Sequence, residues 1–107
     1  MESENNIYSL LKEVRNVFGT GVANTAHERY EQITKHGFSL QKDAKYYQKG
    51  ELVEAARFCL GIGNWPKGWN KVFMDKIISK SDFERYTIAA AFLCAEMDRL
   101  SSTPNNF

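Results

Sequence analysis

Apolar side chains recur at helical spacing in four segments of this chain. The first segment runs from Asn5 to Phe18 and stops at Gly19, and the second runs from Thr25 to His36. The third runs from Gly50 to Leu60, and the last runs from Ser81 to about Leu100. Apolar residues three and four positions apart lie on one side of a helix, so the pattern predicts four main helices.

Local residue patterns mark where these helices should begin and end. Thr25-Ala-His-Glu28 and Ser81-Asp-Phe-Glu84 both have the capping-box spacing, in which a hydroxyl and a carboxylate satisfy each other's backbone amides. Gly37 and Gly61 follow the second and third segments, where glycine commonly ends a helix. The run Gly19-Thr20-Gly21 is therefore interpreted as a turn between the first two helices.

A tryptophan-rich connection separates the third helix from the last one. Trp65, Trp69 and Phe73 recur every four positions, which predicts a short helix after Pro66. No segment alternates apolar and polar residues in the manner of a strand. The predicted fold is all-α, a small bundle of four main helices with this connection before the last helix. We expect residues 1–100 to form one helical domain and residues 101–107 a flexible C-terminal tail.

The composition narrows the classes of function. Lysine and arginine number 14 against 13 acids, a net charge of +1, so the chain has no overall field to attract a long nucleic acid. No apolar run approaches the ~20 residues that span a bilayer, and the acidic start is unlike a signal peptide. We therefore expect a cytoplasmic protein without a membrane partner.

A chain of 107 residues buries only part of its surface, which favours a homo-oligomer. Cys59 and Cys94 lie in apolar segments and are expected to act as small hydrophobic residues.

Two carboxylates fall on the apolar sides of predicted helices. On a helical wheel Glu51 lies between Ala55 and Phe58, and Glu96 lies between Ala89 and Phe92. A buried carboxylate needs a partner, because burial without one is costly. One interpretation is structural, with Glu51 bonded to nearby backbone and Glu96 paired with Arg99 or Arg29. The other is a polar pocket between helices, where bundles commonly bind ligands.

The residues near these acids include both cations and flat aromatic rings. Arg29, Lys67 and Lys71 are candidates to hold a phosphate, and Trp65 or Trp69 is a candidate to stack on a base. The full set of candidate ligand-binding residues is Arg29, Glu51, Trp65, Lys67, Trp69, Lys71, Glu96 and Arg99. The alternative is that the tryptophans belong to the core, as aromatic stripes at helical spacing usually do.

Several short motifs follow one another in a fixed order between about residues 27 and 100. They are Glu28-Arg29, Gln32, Gly37, Gly50-Glu51-Leu52, Ala55-Ala56, Trp65-Pro66, Trp69, Ala89-Ala90-Ala91 and Ala95-Glu96-Met97-Asp98-Arg99-Leu100. This order resembles a group of small, largely uncharacterised phage and prophage proteins, and the resemblance implies an α-helical fold and a viral origin.

More distantly, Glu51-Leu-Val-Glu54 and the acids of the last helix are similar to the acidic helices of all-α MazG-like nucleotide pyrophosphatases. In that family, acidic pairs on facing helices hold the Mg²⁺ that bridges the substrate phosphates. Here Glu96 and Asp98 are two positions apart, which places them on divergent faces. The phage group tends to show a histidine-aspartate cluster before the third helix, whereas this chain has Gln41-Lys42-Asp43-Ala44. The departures argue against a complete metal centre, and no catalytic residue is assigned.

These observations favour binding without turnover. The leading hypothesis is a small phage-type protein that sequesters a nucleotide signal of host immunity, such as a cyclic or ADP-ribose-type molecule, with no cofactor. One alternative is a magnesium-dependent nucleoside triphosphate pyrophosphatase. Another is a protein-interaction module that binds a host factor through the polar second helix and the tail ending in Phe107.

Overall fold

The computed structural model describes residues 2–35 and 49–101, and this part of the chain is helical without any strand. Its helices are α1 (Glu2–Phe18), α2 (Thr20–Thr34), α3 (Glu51–Cys59), α4 (Lys71–Ile78) and α5 (Asp82–Leu100). The all-α prediction is confirmed. α5 is the longest helix and packs against both α2 and α3, while α1 packs against α2. The prediction named four main helices, and the described residues form five because residues 71–78 make a helix of their own.

A single residue, Gly19, separates α1 from α2. Its φ of 96° lies in the left-handed region, which glycine adopts without a steric penalty. The predicted end of the first helix is therefore confirmed, but the predicted start of the second at Thr25 is wrong. The Thr25 hydroxyl donates a hydrogen bond to the Gly21 carbonyl at 2.7 Å, one turn back inside α2. The turn predicted for residues 19–21 is thus Gly19 alone, since Gly21 is helical.

The ends of α3 agree with the sequence pattern to within a residue. Gly50, with φ of 87°, precedes the helix, and Gly61, with φ of 80°, follows its cap at Leu60. The Gly61 amide donates to the Phe58 carbonyl at 2.9 Å, and the Ile62 amide donates to the Arg57 carbonyl at 3.0 Å. This pair of bonds is the Schellman arrangement, which satisfies carbonyls that the helix end would leave unpaired.

The short helix predicted after Pro66 begins later, at Lys71. Residues 66–69 form a turn closed by a 3.1 Å bond from the Trp69 amide to the Pro66 carbonyl. The Asn70 side chain then caps α4 by accepting from the Val72 amide at 2.8 Å. Asparagine is among the best N-cap residues, so the start of the helix is set by Asn70 rather than by Pro66.

The capping box predicted at the start of α5 is confirmed. The Ser81 hydroxyl accepts from the Glu84 amide at 3.2 Å, and the Glu84 carboxylate accepts from the Ser81 amide at 3.4 Å. α5 then meets α3 through small and apolar side chains on both helices. The buried members of this core are Leu52, Ala55, Ala56, Cys59, Ile77, Ile88, Ala89, Phe92 and Ala95.

Aromatic rings cover one side of this core. The Trp65 ring lies with its centroid 5.3 Å from that of Phe58, 5.4 Å from Trp69 and 5.8 Å from Phe73. The Phe92 ring is fully buried, with its centroid 5.8 Å from that of Trp69. Tilted and edge-to-face pairs at such distances are favourable beyond the burial of area. The cluster therefore fixes the connection between α3 and α4 against α5.

Several sequence predictions fall outside the described residues. They are the end of the second helix at His36, the run Gln41-Lys42-Asp43-Ala44, and residues 102–107 of the predicted tail. The assignment of residues 1–100 to one domain stays a prediction. Among the described helices, none is both long and apolar enough to span a bilayer.

Replacing Phe92 by alanine should be the most damaging truncation in the aromatic cluster. We expect Phe92→Ala to lower the free energy of unfolding by about 3–5 kcal/mol, because it leaves a cavity beneath three other rings. Phe18→Ala removes the same side chain from an exposed position and should cost less than about 0.5 kcal/mol. Urea unfolding followed by circular dichroism measures both. Equal losses for the two variants would contradict the assigned core.

Candidate functional site

Glu96 forms a close ion pair with Arg99 on the same helix. The Arg99 Nε atom donates to Glu96 Oε1 at 2.8 Å, and Nη2 donates to Glu96 Oε2 at 2.9 Å. Their side chains are only 12% and 18% exposed. The hydrogen bond from Arg99 lowers the pKa of the Glu96 carboxyl from its ordinary value. Glu96 thus has the internal arginine partner that the structural interpretation proposed.

Glu51 is half-buried at the start of α3 and bonds to nearby backbone. Its Oε1 atom accepts from the Lys49 amide at 2.7 Å. The hydrogen bond that Arg99 donates to Glu96 raises the pKa of the Arg99 guanidinium, and the charge of Glu51 acts in the same direction. The two acids therefore share the field of one arginine, so neither carboxylate is left uncompensated between the helices.

Arg29 pairs with a different acid from the one expected. This buried guanidinium donates from Nη2 to Asp98 Oδ2 at 3.1 Å, which links α2 to α5. Of the two arginines expected as partners for Glu96, Arg99 is therefore the one that binds it, and Arg29 binds Asp98, two residues further along α5. Because Asp98 and Arg99 are adjacent in sequence, the C-terminal end of α5 carries two separate ion pairs.

The predicted tryptophans and lysines do not join these acids in one pocket. Trp65 and Trp69 pack against the core, and Trp65 Nε1 donates to the Asn70 carbonyl at 3.2 Å. This packing agrees with the core interpretation of the aromatic stripe rather than with a free stacking surface. Lys67 and Lys71 are exposed on the connection. The eight predicted residues are thus divided among ion pairs, core and surface.

The acids do not fit the magnesium centre that the distant resemblance implies. Oxygen ligands must be available to the metal, but Glu96 and Asp98 are bound by arginines and Glu51 by a backbone amide. Within residues 2–35 and 49–101, no group of three histidine, cysteine or acidic side chains is placed to hold a metal ion.

The two cysteines are free, as expected for small hydrophobic residues. Cys59 is buried in the core, and burial raises the pKa of its thiol to about 12. Burial also raises the pKa of the half-buried Cys94 thiol. Since the thiolate is the reactive form, neither cysteine is poised as a nucleophile.

A groove between α1 and α2 combines positive charge with an aromatic ring. Its volume is about 560 Å³, against about 200 and 250 Å³ for two smaller cavities. The residues that line it are Tyr8, Ser9, Leu11, Lys12, Arg15, Ala23, Asn24 and His27. Ligand sites commonly have volumes of about 300–1,000 Å³, so the groove has the size of a small-molecule site.

Both helices contribute polar groups to this groove. Lys12 and Arg15 project from α1, and no described residue forms an ion pair with either of them. From α2, His27 packs its ring 5.7 Å from that of Tyr8 and lies 3.5 Å from the Glu31 carboxylate. A guanidinium and an ammonium group that line one groove can both donate charge-assisted hydrogen bonds to an anion such as phosphate.

Sequence reasoning missed the groove because it depends on how α1 meets α2. In the sequence, Lys12 and Arg15 lie on the polar side of the first helix, the side that ordinarily faces water, and no local pattern places His27 next to them. The pairing of α1 with α2 turns Lys12, Arg15 and His27 toward a common cavity. The available signal was the spacing of Tyr8, Lys12 and Arg15 at one helical turn each.

Gln32 is a second feature that the sequence did not single out as a site residue. Its side chain is fully buried, and neither amide atom has a hydrogen-bond partner within the described parts of the chain. A buried amide without partners costs about 1–3 kcal/mol. Gln32 lies one turn after Arg29 on α2, which packs against α5.

Comparison with known proteins finds no matching family model, no matching curated protein and no matching solved structure.

The ion pair of Glu96 predicts a specific dependence of stability on pH. Because Arg99 holds the folded pKa of Glu96 below the ordinary value of 4.5, the pair contributes stability above that value, and this is lost as the pH falls through the folded pKa. We expect Glu96→Gln to lower the free energy of unfolding by about 1–2 kcal/mol at pH 7 and by almost nothing in strong acid. Glu54→Gln, at an exposed position of α3, is the matched control. A pH-independent difference for Glu96→Gln would contradict the ion pair.

Because the Gln32 amide is buried without a partner among the described residues, its removal should raise the free energy of unfolding. Methionine has nearly the volume of glutamine but no amide, so Gln32→Met should raise the free energy of unfolding by about 1–2 kcal/mol. Gln32→Glu places a charge at the same position and should lower it. Chemical denaturation of the three proteins measures both effects. A loss of stability in Gln32→Met would mean that the amide binds water or another group in solution.

Proposed function

We propose that the protein binds a small phosphorylated ligand of the nucleotide class in the groove between α1 and α2. The observation that supports this most is the joint placement of Lys12, Arg15 and His27 around a cavity of about 560 Å³. This proposal keeps the ligand class that the sequence predicted and moves the binding residues from the acidic pair to the groove.

The charges of the two regions support this reassignment. The acids Glu96 and Asp98 are already neutralised by Arg99 and Arg29. The cations Lys12 and Arg15 have no such ion pair among the described residues, so the groove keeps its positive charge for an anionic partner. A phosphate there gains charge-assisted hydrogen bonds, which are stronger than neutral ones.

The remaining lining residues give the groove features of a nucleoside site. The Tyr8 ring lies tilted against the ring of His27 and offers an apolar surface next to the cations. The Asn24 amide has both a donor and an acceptor, which suits the edge of a base or a ribose hydroxyl. Phosphate, sugar and base thus each have a matching group on the two helices.

We further propose that the ligand is bound without turnover. A pyrophosphatase of the magnesium-dependent kind needs carboxylates free to hold the ion, and the described acids nearest to that role are engaged by arginines and backbone. The groove itself is lined by cations and neutral groups. In the viral setting that the resemblance to phage and prophage proteins implies, such a protein sequesters a nucleotide signal in the host cytoplasm.

A nucleotide panel tests the proposal directly. Isothermal titration calorimetry with cyclic nucleotides, ADP-ribose and nucleoside monophosphates should identify a ligand that wild type binds. The double variant Lys12→Ala/Arg15→Ala should weaken that binding by roughly 10- to 100-fold, which corresponds to about 1.4–2.8 kcal/mol for the two lost charge-assisted bonds together. The loss is smaller than at a buried site because both side chains are exposed to solvent.

Matched variants show whether the loss belongs to the groove. Lys76→Ala removes an exposed positive charge from α4 and should leave the affinity unchanged. Lys67→Ala/Lys71→Ala tests the tryptophan-rich connection, and a loss confined to that pair would refute the groove. Release of pyrophosphate from a nucleoside triphosphate with Mg²⁺ would replace binding without turnover by the enzymatic alternative.

A further inference from the structure

α5 carries a stripe of apolar residues on the side that faces away from the core. The stripe consists of Phe83, Tyr86, Ala90, Leu93, Met97 and Leu100. Its five large side chains are each between 41% and 66% exposed, and Ala90 is half-buried. Scattered exposed apolar residues are ordinary, but a continuous stripe of this kind marks an interaction surface.

The spacing of the stripe is that of a coiled coil. Successive members are three, four, three, four and three residues apart, which is the alternation of the two apolar positions of a heptad repeat. At about 100° per residue they occupy a sector about 100° wide, and the core residues Ile88, Phe92 and Ala95 lie on the opposite side. One side of α5 therefore builds the core, and the other has the pattern of a helix that packs against a second helix.

The stripe matches a second copy of itself when the two helices run in opposite directions. A two-fold axis midway between Ala90 and Leu93 sets these two residues opposite each other, a small side chain against a large one. The same axis sets Phe83 opposite Leu100 of the second copy. It also sets Tyr86 opposite Met97, and a methionine sulfur packs favourably against an aromatic ring.

The size of the stripe agrees with a reversible dimer. It extends for about 26 Å along α5 at the helical rise of about 1.5 Å per residue. Side chains of this size at these exposures present on the order of 500 Å² per copy, below the roughly 800 Å² per partner of a standard stable interface. Few polar groups must be desolvated, since the stripe itself contains one hydroxyl, that of Tyr86.

We propose that two copies of the protein associate through this stripe, with α5 antiparallel to α5 across a two-fold axis. None of the stripe residues lines the groove between α1 and α2. Phe83, at one end of the stripe, lines a smaller cavity that shares Asn24 and His27 with the groove. Dimerisation through α5 and ligand binding through α1 and α2 use different residues, so each can be tested with its own variants.

Sedimentation velocity over micromolar to millimolar concentrations tests the association. Wild type should shift from monomer to dimer with rising concentration. Met97→Glu should raise the dissociation constant by roughly 100-fold or more, because each of the two copies then buries one added carboxylate in the interface. Val72→Glu changes an equally exposed apolar residue on α4 and should leave the dimer unchanged. Far-ultraviolet circular dichroism confirms that each variant is folded.

A charge pair tests the antiparallel arrangement. Tyr86→Lys alone should weaken the dimer, whereas Tyr86→Lys/Met97→Glu should recover much of it, because each lysine then meets a glutamate of the other copy. The proposal would be overturned if the wild-type protein stayed monomeric at millimolar concentration. That result would stand even if the stripe were found to bind a helix of another protein. A Met97→Glu protein that still dimerises, or a double variant that shows no recovery, would overturn the proposal as well.

Discussion

The burial of the Phe92 ring is the constraint on which the rest of this small fold depends. Trp65, Trp69 and Phe73 come from the connection and from the short α4, and all three rings lie within 6.5 Å of the Phe92 ring, measured between centroids. Small residues let α3 approach α5 closely on the same side. With the connection packed in this way, α5 becomes a central helix that α2 and α3 both contact.

Two arginines hold two acidic side chains of α5 in place, as the aromatic cluster holds the apolar side chains of the core. Arg99 binds Glu96 and acts on Glu51, and Arg29 crosses from α2 to bind Asp98. Removing one partner of a part-buried pair leaves a charge without compensation, so the pair between Arg29 and Asp98 favours one arrangement of α2 and α5 over others. They also leave the negative charge of α5 neutralised, in contrast to the positive groove on α1 and α2.

The sequence allowed the helices to be predicted more closely than the site. Periodicity and glycines located α3 and α5 because those signals act within a few residues, and the Ser81 box worked for the same reason. The similar pattern at Thr25 failed, since a helix that starts at Thr20 uses the hydroxyl inside its first turns instead. The inward direction of Glu96 followed from the wheel. Its pair with Arg99 lies within one helix at a spacing of three residues. The pair between Arg29 and Asp98, and the placement of Lys12 and His27 around one groove, depend on how helices pack together, which no local pattern contains.

α1 differs from the other helices in how little it contributes to the interior. Among its described side chains none is fully buried, and Ile7, Leu11 and Val14 are half-buried. One wall of the groove is thus supplied by a helix on which the packing of α3, α4 and α5 does not rely. Substitutions on that wall should therefore cost little free energy of folding, so the chemistry of the groove can change while the packing of the other helices stays the same.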